Sequence, residues 1–517
     1  MKIFRILILI FLLSSCSTPV IDPTHAPSLI KTLVQTGSST NIPSSSPQQS
    51  ATITRTPVIS PPPFPLPPIA PTGPYLISLA EDAIIVLNQD GSGKQILPIP
   101  EGMVLENISP NGKRGVLLAC DNPDCSQAIS LKLIHIPGGD VESLAVVIPK
   151  GNTDLHSGDI QKNIQWSPDG RYLAFVAIPS GSSADLFVYD TRNEKLKRLT
   201  NDSLPTGGVE WSPDGKWIVF ENLVNSNSKC IEPGVCSENT EDTFTLNATS
   251  PENGMNIGIR ELSAYVSRFF SGTFLRVGWI SDTELLFIEG CGDGGYCGGL
   301  SFLDVQNGKK RSIWDGDFSF WIEPGKGDVW PVDPVNREAV LCGYRPLDQP
   351  AESGCYLVSS DGRTVNKLPT DNYFNGMNLP IYRGGPKYRF VTSNESGMFG
   401  ITTDGVIDKI SDRDNAYFSV SPMHEWCVSY NGSGMDVYSG EDILIRSVEG
   451  IAVWKVIWPA EQNGFYFMAE TREKVWGIYY WSFSDPAPQL IYLSTEQEEC
   501  NMQGTQYSPN CVLFWSP

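Results

Sequence analysis

Two segments of this chain place a tight polar turn between two runs of apolar residues. The first is IQWSPDGRYLAFV at Ile164–Val176, and the second is VEWSPDGKWIVF at Val209–Phe220. After the turn, side chains alternate from one side of the chain to the other in the manner of a half-buried β-strand. Within the first copy, Asp169 and Gly170 supply the tight turn, and Pro168 fixes the backbone just before it. Each segment therefore predicts a strand, a turn and a second strand.

The two segments are copies of a repeating unit. Trp166 and Trp211 occupy the same place in each copy and are 211 − 166 = 45 residues apart. Units of roughly 40–50 residues with four strands each build a β-propeller. The residue before each Ser-Pro turn, or its equivalent, marks the phase of the unit, and one further degenerate unit is predicted near Tyr382. The markers are Ile108, Trp166, Trp211, Trp279, Trp330, Val420, Trp458 and Tyr507.

All four strands are clearest in the unit that begins at Ile164. Strands a, b, c and d are predicted at Ile164–Trp166, Tyr172–Ala177, Ala184–Tyr189 and Lys195–Thr200. The succession WSPDG, LAFVA, DLFVYD and KRLT closely resembles the WD40-like (PD40) repeat of TolB-type propellers. The resemblance implies an all-β fold: a single β-propeller of four-stranded blades.

The two ends of the repeat array complement each other. Tyr75–Leu79, Ala83–Leu87 and Gln95–Pro98 have the pattern of strands b, c and d without an a, whereas Thr505–Ser508 has that of a lone strand a. Joining them would close the ring and hide the sheet edges. The markers give nine units. Because propellers typically have four to eight blades, we expect about eight, within a range of seven to nine, and one spurious marker.

The first sixteen residues have the order of parts of a bacterial lipoprotein leader. Lys2 and Arg5 precede an apolar run, Ile6–Leu13, that is too short to span a bilayer and is typical of a signal peptide. The following LSSC, which ends at Cys16, resembles a lipobox. The resemblance implies cleavage before Cys16 and attachment of diacylglycerol to its sulfur. An ordinary signal peptide with an incidental cysteine is the alternative.

Residues 17–73 are rich in Pro, Ser and Thr and carry only three formal charges, at Asp22, Lys31 and Arg55. Such a composition cannot bury enough apolar area to fold, so we expect a disordered stalk. As a flexible coil its 73 − 17 + 1 = 57 residues would span on the order of 40 Å. The predicted organisation is a leader at 1–16, a flexible linker at 17–73 and a propeller at 74–517.

The charge balance narrows the class of partner. The 517 residues include 37 basic and 58 acidic ones, and the formal net charge is −21. This argues against a nucleic-acid partner, because phosphates repel an acidic surface. It does not identify a partner, since acidic surfaces mostly serve solubility.

Most of the twelve cysteines occur in close pairs, which indicates an oxidising compartment. Four pairs fall between strands b and c of their units, so disulfides there would staple loops on a single face, each contributing ~2–3 kcal/mol. Stapled loops suit either binding or durability alone; zinc is a third reading, weakened by the lack of CxxC spacing. Cys427 is predicted to be a buried thiol in a strand b. The candidate pairs are Cys120/Cys125, Cys230/Cys236, Cys291/Cys297, Cys342/Cys355 and Cys500/Cys511.

Two parts of this face are candidates for binding, and a long polar insertion is predicted beside them at Glu221–Asn256. A Gly-rich tip carries Asp293 and Tyr296, and its alternative reading is a simple hairpin. The aromatic and acidic stretch WDGDFSFWIEPGKGDVW holds Asp317, Trp321 and Glu323; aromatic rings beside carboxylates suit sugars or peptide side chains, and packing between blades is the alternative.

Catalytic motifs find little support in the sequence. No G-x-S-x-G, H-E-x-x-H or Walker A pattern occurs, and there are four histidines. We therefore expect a monomeric, membrane-anchored extracytoplasmic lipoprotein, without cofactor or metal, that binds a protein, peptide or glycan of the cell envelope. A carbohydrate-active enzyme with carboxylates at the channel mouth is the alternative. A purely structural role in an envelope complex, like that of TolB-type propellers, is a third.

Overall fold

The computed structural model of this protein describes part of the chain, and all of that part belongs to one compact unit within Ala51–Pro517. The leader, Cys16 and the stalk up to residue 67 lie outside the described residues. The described ranges are 68–80, 82–120, 129–148, 163–178, 184–201, 204, 206–225, 230–232, 235–236, 242–252, 256–264, 276–288, 296–297, 300–314, 320–321, 332–333, 337–343, 354–359, 365–367, 381–383, 387–394, 396–402, 406–413, 416–422, 425–439, 444–459, 463–470, 476–493 and 513–516.

The described part is all-β, with 40 strands and no helix, so no helix there is long and apolar enough to cross a membrane. Nine antiparallel sheets have four strands each, and two short ribbons have two strands each. In eight of these sheets the strands are ordered as they occur along the chain, with strands of the two ribbons intervening in two of them, and the ninth sheet takes one strand from the far end. This succession of four-stranded sheets is that of β-propeller blades.

The strands of the first half of the chain, with their sheets, are as follows. Sheet 1 has β1 (Tyr75–Leu79), β2 (Ala83–Asn88) and β3 (Lys94–Pro98); sheet 2 has β4 (Met103–Ile108), β5 (Arg114–Cys120), β6 (Ile129–His135) and β7 (Val141–Ile148); sheet 3 has β8 (Ile164–Trp166), β9 (Tyr172–Ala177), β10 (Asp185–Asp190) and β11 (Lys195–Arg198); sheet 4 has β12 (Thr206–Trp211), β13 (Ile218–Asn225), β16 (Asp242–Thr249) and β17 (Asn256–Ala264), with the ribbon β14 (Cys230–Glu232) and β15 (Val235–Cys236).

The remaining strands continue the same order. Sheet 5 has β18 (Arg276–Trp279), β19 (Glu284–Ile288), β21 (Leu300–Asp304) and β22 (Lys309–Trp314), and β20 (Tyr296–Cys297) pairs with β23 (Phe320–Trp321); sheet 6 has β24 (Val332–Asp333), β25 (Glu338–Gly343), β26 (Gly354–Ser359) and β27 (Val365–Lys367); sheet 7 has β28 (Ile381–Arg383), β29 (Tyr388–Asn394), β30 (Gly397–Thr402) and β31 (Ile407–Ser411); sheet 8 has β32 (Tyr417–Val420), β33 (Trp426–Asn431), β34 (Gly434–Ser439) and β35 (Leu444–Glu449); sheet 9 has β36 (Ala452–Ile457), β37 (Gly464–Glu470), β38 (Trp476–Ser482) and β39 (Gln489–Leu493); β40 (Leu513–Ser516) belongs to sheet 1.

Burial follows the position of each strand within its sheet. The two middle strands of sheet 3, β9 and β10, are buried along their whole length, whereas its last strand, β11, is exposed throughout. Middle strands are apolar on both faces because both faces pack against neighbouring sheets. The sequences YLAFVA and DLFVYD have the near-continuous apolar character that this requires.

Buried apolar clusters join consecutive sheets: 1 to 2, 2 to 3, 3 to 4, 4 to 5, 7 to 8 and 8 to 9. The first sheet also packs against the last. In that cluster Leu76 and Ile85 of sheet 1 lie with Tyr466 and Ile478 of sheet 9, and all four are buried. Residues about 400 positions apart therefore share one core.

The turn between strands a and b is built by a buried serine. The Ser167 hydroxyl donates to Asp169 Oδ1 at 2.7 Å and accepts the amide of Tyr172 at 2.8 Å. Gly170 has φ +67°, a left-handed conformation that favours glycine, and its amide bonds the Ser167 carbonyl at 2.8 Å. Ser109 and Ser212 form the same pair of side-chain bonds in sheets 2 and 4, and Ser421 accepts the equivalent amide in sheet 8.

The ends of the sheets form two rims. The a–b rim carries the a–b and c–d turns, and the b–c rim carries the b–c turns and the d–a connections. Contacts between the a–b ends of neighbouring sheets show that these ends lie side by side. The contacts are Asn111 to Asp169 (sheets 2 and 3), Arg171 to Glu252 (3 and 4), Arg337 to Glu284 (5 and 6), Arg446 to Phe483 (8 and 9) and Tyr466 to Gln89 (9 and 1).

Three expectations need correction. The described residues form nine four-stranded sheets, which is one more than eight but within the expected range of seven to nine, because the degenerate unit predicted near Tyr382 does have its own sheet, beginning with β28. The lone strand a is Leu513–Ser516; Thr505–Ser508 lies outside the described residues. The predicted insertion Glu221–Asn256 contains the whole of β16, whose polar Thr and Asn residues alternate with buried Leu246 and Ala248.

Other expectations agree with the described backbone. The three N-terminal strands lie in sheet 1 as b, c and d, and the four strands of the Ile164 unit match to within two residues. The marker Trp330 lies outside the described residues, and strand a of sheet 6 is Val332–Asp333. Cys427 is buried in strand b of sheet 8, as predicted.

Candidate binding rim

The structure brings together two of the five residues that the sequence predicts to take part in binding. Tyr296 lies in β20, between strands b and c of sheet 5, and Trp321 lies in β23, in the connection from strand d to the next sheet. The two residues are paired directly across this short antiparallel ribbon. The b–c loop and the d–a connection of one sheet therefore meet on the b–c rim. Asp293, Asp317 and Glu323 lie outside the described residues.

Two of the predicted cysteine pairs occupy facing positions on adjacent strands. Cys342 in β25 is the register partner of Cys355 in β26, and Cys230 in β14 is the partner of Cys236 in β15. Directly opposed residues in an antiparallel pair have Cα atoms about 4.5–5.5 Å apart, and a disulfide needs about 4.4–6.8 Å. The backbone is therefore compatible with both bonds, which stay predictions.

The remaining predicted pairs are placed only in part. Cys120 is the last residue of β5, a strand b, and Cys297 ends β20. Both positions belong to the b–c rim. The other four cysteines of these pairs lie outside the described residues: Cys125, Cys291, Cys500 and Cys511.

A buried polar cluster, which the sequence did not suggest, lies on the b–c rim between sheets 3 and 4. Asp185 is 1% exposed and contacts Arg198 and the Thr200 hydroxyl, the latter at 3.2 Å. Thr200 also lies 3.4 Å from Thr206 in the next sheet, which donates to Asn222 Oδ1 at 3.5 Å. These residues carry hydrogen bonding from strand c of one sheet to strand b of the next. Because each buried polar atom has a partner, the cluster stabilises the rim and offers no unpaired reactive group.

A second cluster fixes the b–c rim of sheet 8. Arg413, in the d–a connection before β32, makes two hydrogen bonds of 2.9 Å to Asp436 and one of 2.6 Å to Glu449. Burial disfavours the charged guanidinium, but the hydrogen bonds that it donates to Asp436 and Glu449 outweigh this effect, so the pKa of Arg413 is raised. Arg413 Nη1 also donates to Asn431 Oδ1, at 3.3 Å, at the end of β33. One buried guanidinium thus ties the connection to three strands of the next sheet.

Three large apolar side chains are exposed on the first strand, strand a, of their sheets. Val104 in β4, Tyr417 in β32 and Trp454 in β36 are 59%, 52% and 40% exposed. Tyr417 opens its strand at the b–c rim and stacks on Tyr430, with ring centroids 5.7 Å apart. Trp454 is the extra residue of a β-bulge, because the register with β37 shifts between Val453 and Lys455. Bulges re-aim side chains, and here the bulge presents an indole to solvent.

The described residues contain no group of three or more His, Cys, Asp or Glu side chains able to hold a metal ion. The acidic side chains of the two rim clusters are instead engaged by arginine and hydroxyl groups. In the described residues the b–c rim presents paired loops, buried polar clusters and the exposed ring of Tyr417. These features suit the recognition of a surface or a short segment.

Comparison with known proteins gives structural likeness at low sequence identity. No family model matches the chain, and no curated protein matches it. A dipeptidyl peptidase 4 from Porphyromonas gingivalis is 11% identical with a TM-score of 0.43 over 77% of this chain and 63% of its own. TolB from Acinetobacter baumannii is 14% identical with a TM-score of 0.27 over 56% and 62%, and a eukaryotic initiation factor is 10% identical with a TM-score of 0.47 over 86% and 99%. The chain thus spans less than two thirds of the peptidase and of TolB.

Proposed function

We propose that this protein is an extracytoplasmic β-propeller lipoprotein whose b–c rim binds a protein, peptide or glycan of the cell envelope without catalysis. The observation that carries the proposal is the pairing of Tyr296 with Trp321, which joins a b–c loop to a d–a connection. Loops that pair with one another present a fixed surface, and a fixed surface loses less conformational entropy when it binds.

We also propose that the nine sheets form one closed ring with a strand from each end of the chain in its first blade. Two observations support closure. Strand β40 pairs with β1 from Tyr75↔Ser516 to Ser78↔Leu513, and sheet 1 packs against sheet 9. Strand β40 covers the edge of β1, which would otherwise be an unpaired strand edge. The monomeric state that the sequence favours is consistent with a ring completed within one chain.

The membrane anchor is proposed from the leader alone. Lys2, Arg5, the apolar run and Cys16 have the lipobox arrangement. Acylation at Cys16 would attach the body to a bilayer, with each buried CH₂ group contributing about 0.8 kcal/mol. Mass spectrometry of the mature N-terminus tests this, because a diacylglyceryl group should be present on Cys16 and should disappear with Cys16→Ser.

Capture of a partner from native membranes by the full-length acylated protein tests the binding role. Replacement of residues 226–241, which include the ribbon β14–β15 but leave β13 and β16 intact, should weaken capture several-fold, and so should reduction of disulfides. Lys113→Ala and Glu425→Ala, both exposed on the a–b rim, are matched controls that should leave capture unchanged.

Two results would contradict the proposal. Capture that survives both treatments, or that falls only with the a–b rim variants, would show that the b–c rim is not the binding surface. Turnover of a glycan that is lost in Asp317→Asn or Glu323→Gln would show that the rim is catalytic.

A further inference from the structure

Positive charge in this acidic protein is concentrated on strand d, the last strand of each four-stranded sheet. The nine d strands together contain eleven Lys and Arg residues and four Asp and Glu residues, a balance of 11 − 4 = +7, whereas the whole chain carries −21. Three consecutive sheets, 3 to 5, account for most of this excess. Strand β11 is KLKR, β22 begins KKR, and β17 adds Arg260 beside Glu261, so these strands carry 7 − 1 = +6. We call β11, β17 and β22 the basic sector.

The three strands of the basic sector belong to sheets that pack against one another. Buried apolar clusters join sheet 3 to sheet 4 and sheet 4 to sheet 5. The Lys197 ammonium donates to the Pro251 carbonyl at 3.4 Å, in the turn that leads into β17. Each of the three strands lies at an edge of its sheet. Strand β11 is exposed throughout, and Lys309 and Arg311 are exposed in β22. The cations of β11 and β22 therefore lie on the surface of the body.

The c–d turns of sheets 3 and 5 place the first lysine of the strand in the same way. In sheet 3, the Asn193 side chain donates to Asp190 at 3.1 Å and accepts the Lys195 amide at 3.1 Å. Sheet 5 repeats both bonds, at 2.6 and 2.8 Å, with Asn307 and Lys309 in the equivalent positions. A turn held by its own hydrogen bonds fixes the backbone of the lysine, so less conformational entropy is lost when the charged group binds.

Lysine on an exposed edge strand also serves to prevent edge-to-edge aggregation. That role does not explain the distribution of charge, because β39 is an edge strand without any charged residue and the only charged residue of β7 is Glu142. The concentration of cations on three consecutive sheets instead favours a ligand of opposite charge.

The charge of the remaining chain favours a slender ligand. Outside the basic sector the chain carries −21 − 6 = −27. A partner as broad as a bilayer or a nucleic-acid duplex would also face this acidic remainder. A single extended chain can follow the sector alone, because salt screens charges beyond about 10 Å at ordinary ionic strength.

The accessible cations of the sector are chiefly lysines. The guanidinium of Arg198 is engaged by Asp185. That of Arg311 lies over the ring of Phe302, 4.8 Å from its centroid. Lysine ammonium groups bind phosphate oxygens as point charges, without the bidentate geometry that arginine offers to carboxylates.

We propose that the basic sector binds a linear phosphate polymer, which runs across strands β11, β17 and β22. This surface is distinct from the b–c rim, and the proposal does not depend on the lipid anchor. Binding of such a polymer displaces small counterions, so its affinity falls steeply as the salt concentration rises.

Binding of fluorescently end-labelled inorganic polyphosphate to the full-length protein, held in a non-ionic detergent, tests the proposal by fluorescence anisotropy. Two double variants each remove two charges from the sector. One is Lys195→Gln/Lys197→Gln in β11, and the other is Lys309→Gln/Lys310→Gln in β22.

The matched control, Lys409→Gln/Lys455→Gln, removes two exposed charges outside the sector, and Lys409 also lies on a strand d. If about six cations contact polyphosphate, the logarithm of the affinity should fall with the logarithm of the salt concentration with a slope of about −4, and either sector variant should reduce the slope to about −3. At low salt each sector variant should bind at least about tenfold more weakly than the parent protein. The control should bind like the parent.

Three results would overturn the proposal. The first is the absence of binding by the parent, or an equal loss in the control and in the sector variants. The second is a preference for polygalacturonate, a polymer of carboxylates, over polyphosphate. The third is a pair of sector variants that self-associate in sedimentation yet bind polyphosphate like the parent, which would assign the lysines to protection of the sheet edge.

Discussion

Removing the buried hydroxyl of Ser167 should destabilise the fold through one identifiable pair of hydrogen bonds. Ser167→Ala deletes the acceptor of the Tyr172 amide and the donor to Asp169, while it leaves the backbone turn in place. Ser167 is fully buried and Tyr172 is 7% exposed, so water does not replace the lost partner. A buried donor without an acceptor costs about 1–3 kcal/mol, and we expect the free energy of unfolding to fall by that amount.

The assay is urea denaturation of Ser167→Ala and of a matched control, followed by tryptophan fluorescence. Ser484→Ala is the control, because Ser484 is an exposed turn residue whose hydroxyl bonds only other exposed groups. The control should stay within about 0.5 kcal/mol of the parent protein. Equal effects of the two variants would refute the claim that the buried serine stabilises the turn. A folded Ser167→Ala protein with unchanged stability would refute it as well.

Three further changes have defined outcomes. Gly170→Ala should cost roughly 1–2 kcal/mol in chemical denaturation, because alanine must adopt φ +67° there; unchanged stability would contradict the turn geometry. A non-reduced digest should contain Cys342 linked to Cys355, since the two face each other in β25 and β26; free thiols at both would contradict the pairing. Burial raises the pKa of Asp190, but hydrogen bonds from Arg171 outweigh it and lower the net pKa. The ionised carboxylate therefore stabilises the fold at pH values above its ordinary pKa, and this stabilisation is lost as the pH falls through the lowered pKa. The Asp190→Asn variant should consequently lose less stability than the parent protein between about pH 5 and pH 2. Equal acid sensitivity of the two proteins would contradict the role of this ion pair.

Local pattern predicted the strands where the apolar alternation is strong. The segments YLAFVA and DLFVYD became β9 and β10 because their side chains are buried on both faces. The sequence pattern does not predict strand β16, because TFTLNAT places polar Thr and Asn at every second position and therefore resembles a polar loop in composition.

The strand that pairs with β1 did carry a sequence signal. Trp515, Ser516 and Pro517 repeat the Trp-Ser-Pro of Trp166 and Trp211. The YSPN motif at Tyr507–Asn510 has the same Ser-Pro pair with tyrosine in place of tryptophan, and it predicts strand a a few residues before Leu513–Ser516.

The buried polar contacts of the b–c rim could not be predicted from local sequence pattern. Asp185 is the first residue of strand β10, where the sequence alone suggests only a turn residue. Its partner Arg198 is the last residue of a different strand, β11. The pairing of Tyr296 with Trp321 joins two loops that are 321 − 296 = 25 residues apart. Sequence pattern gives the face of a strand but not the contacts between loops, because those contacts depend on how the sheets pack.

The claim on which both rims depend is that the C-terminal strand completes the first sheet of the same molecule. The double variant Ser78→Cys/Leu513→Cys tests it, because these residues are register partners in β1 and β40. Facing positions in antiparallel strands have the Cα separation that a disulfide requires, about 4.5–5.5 Å. Mild oxidation should link positions 78 and 513 within a monomer at every protein concentration, as seen by mass spectrometry of the non-reduced digest. A link that forms only between molecules, or no link between these positions, would contradict the account.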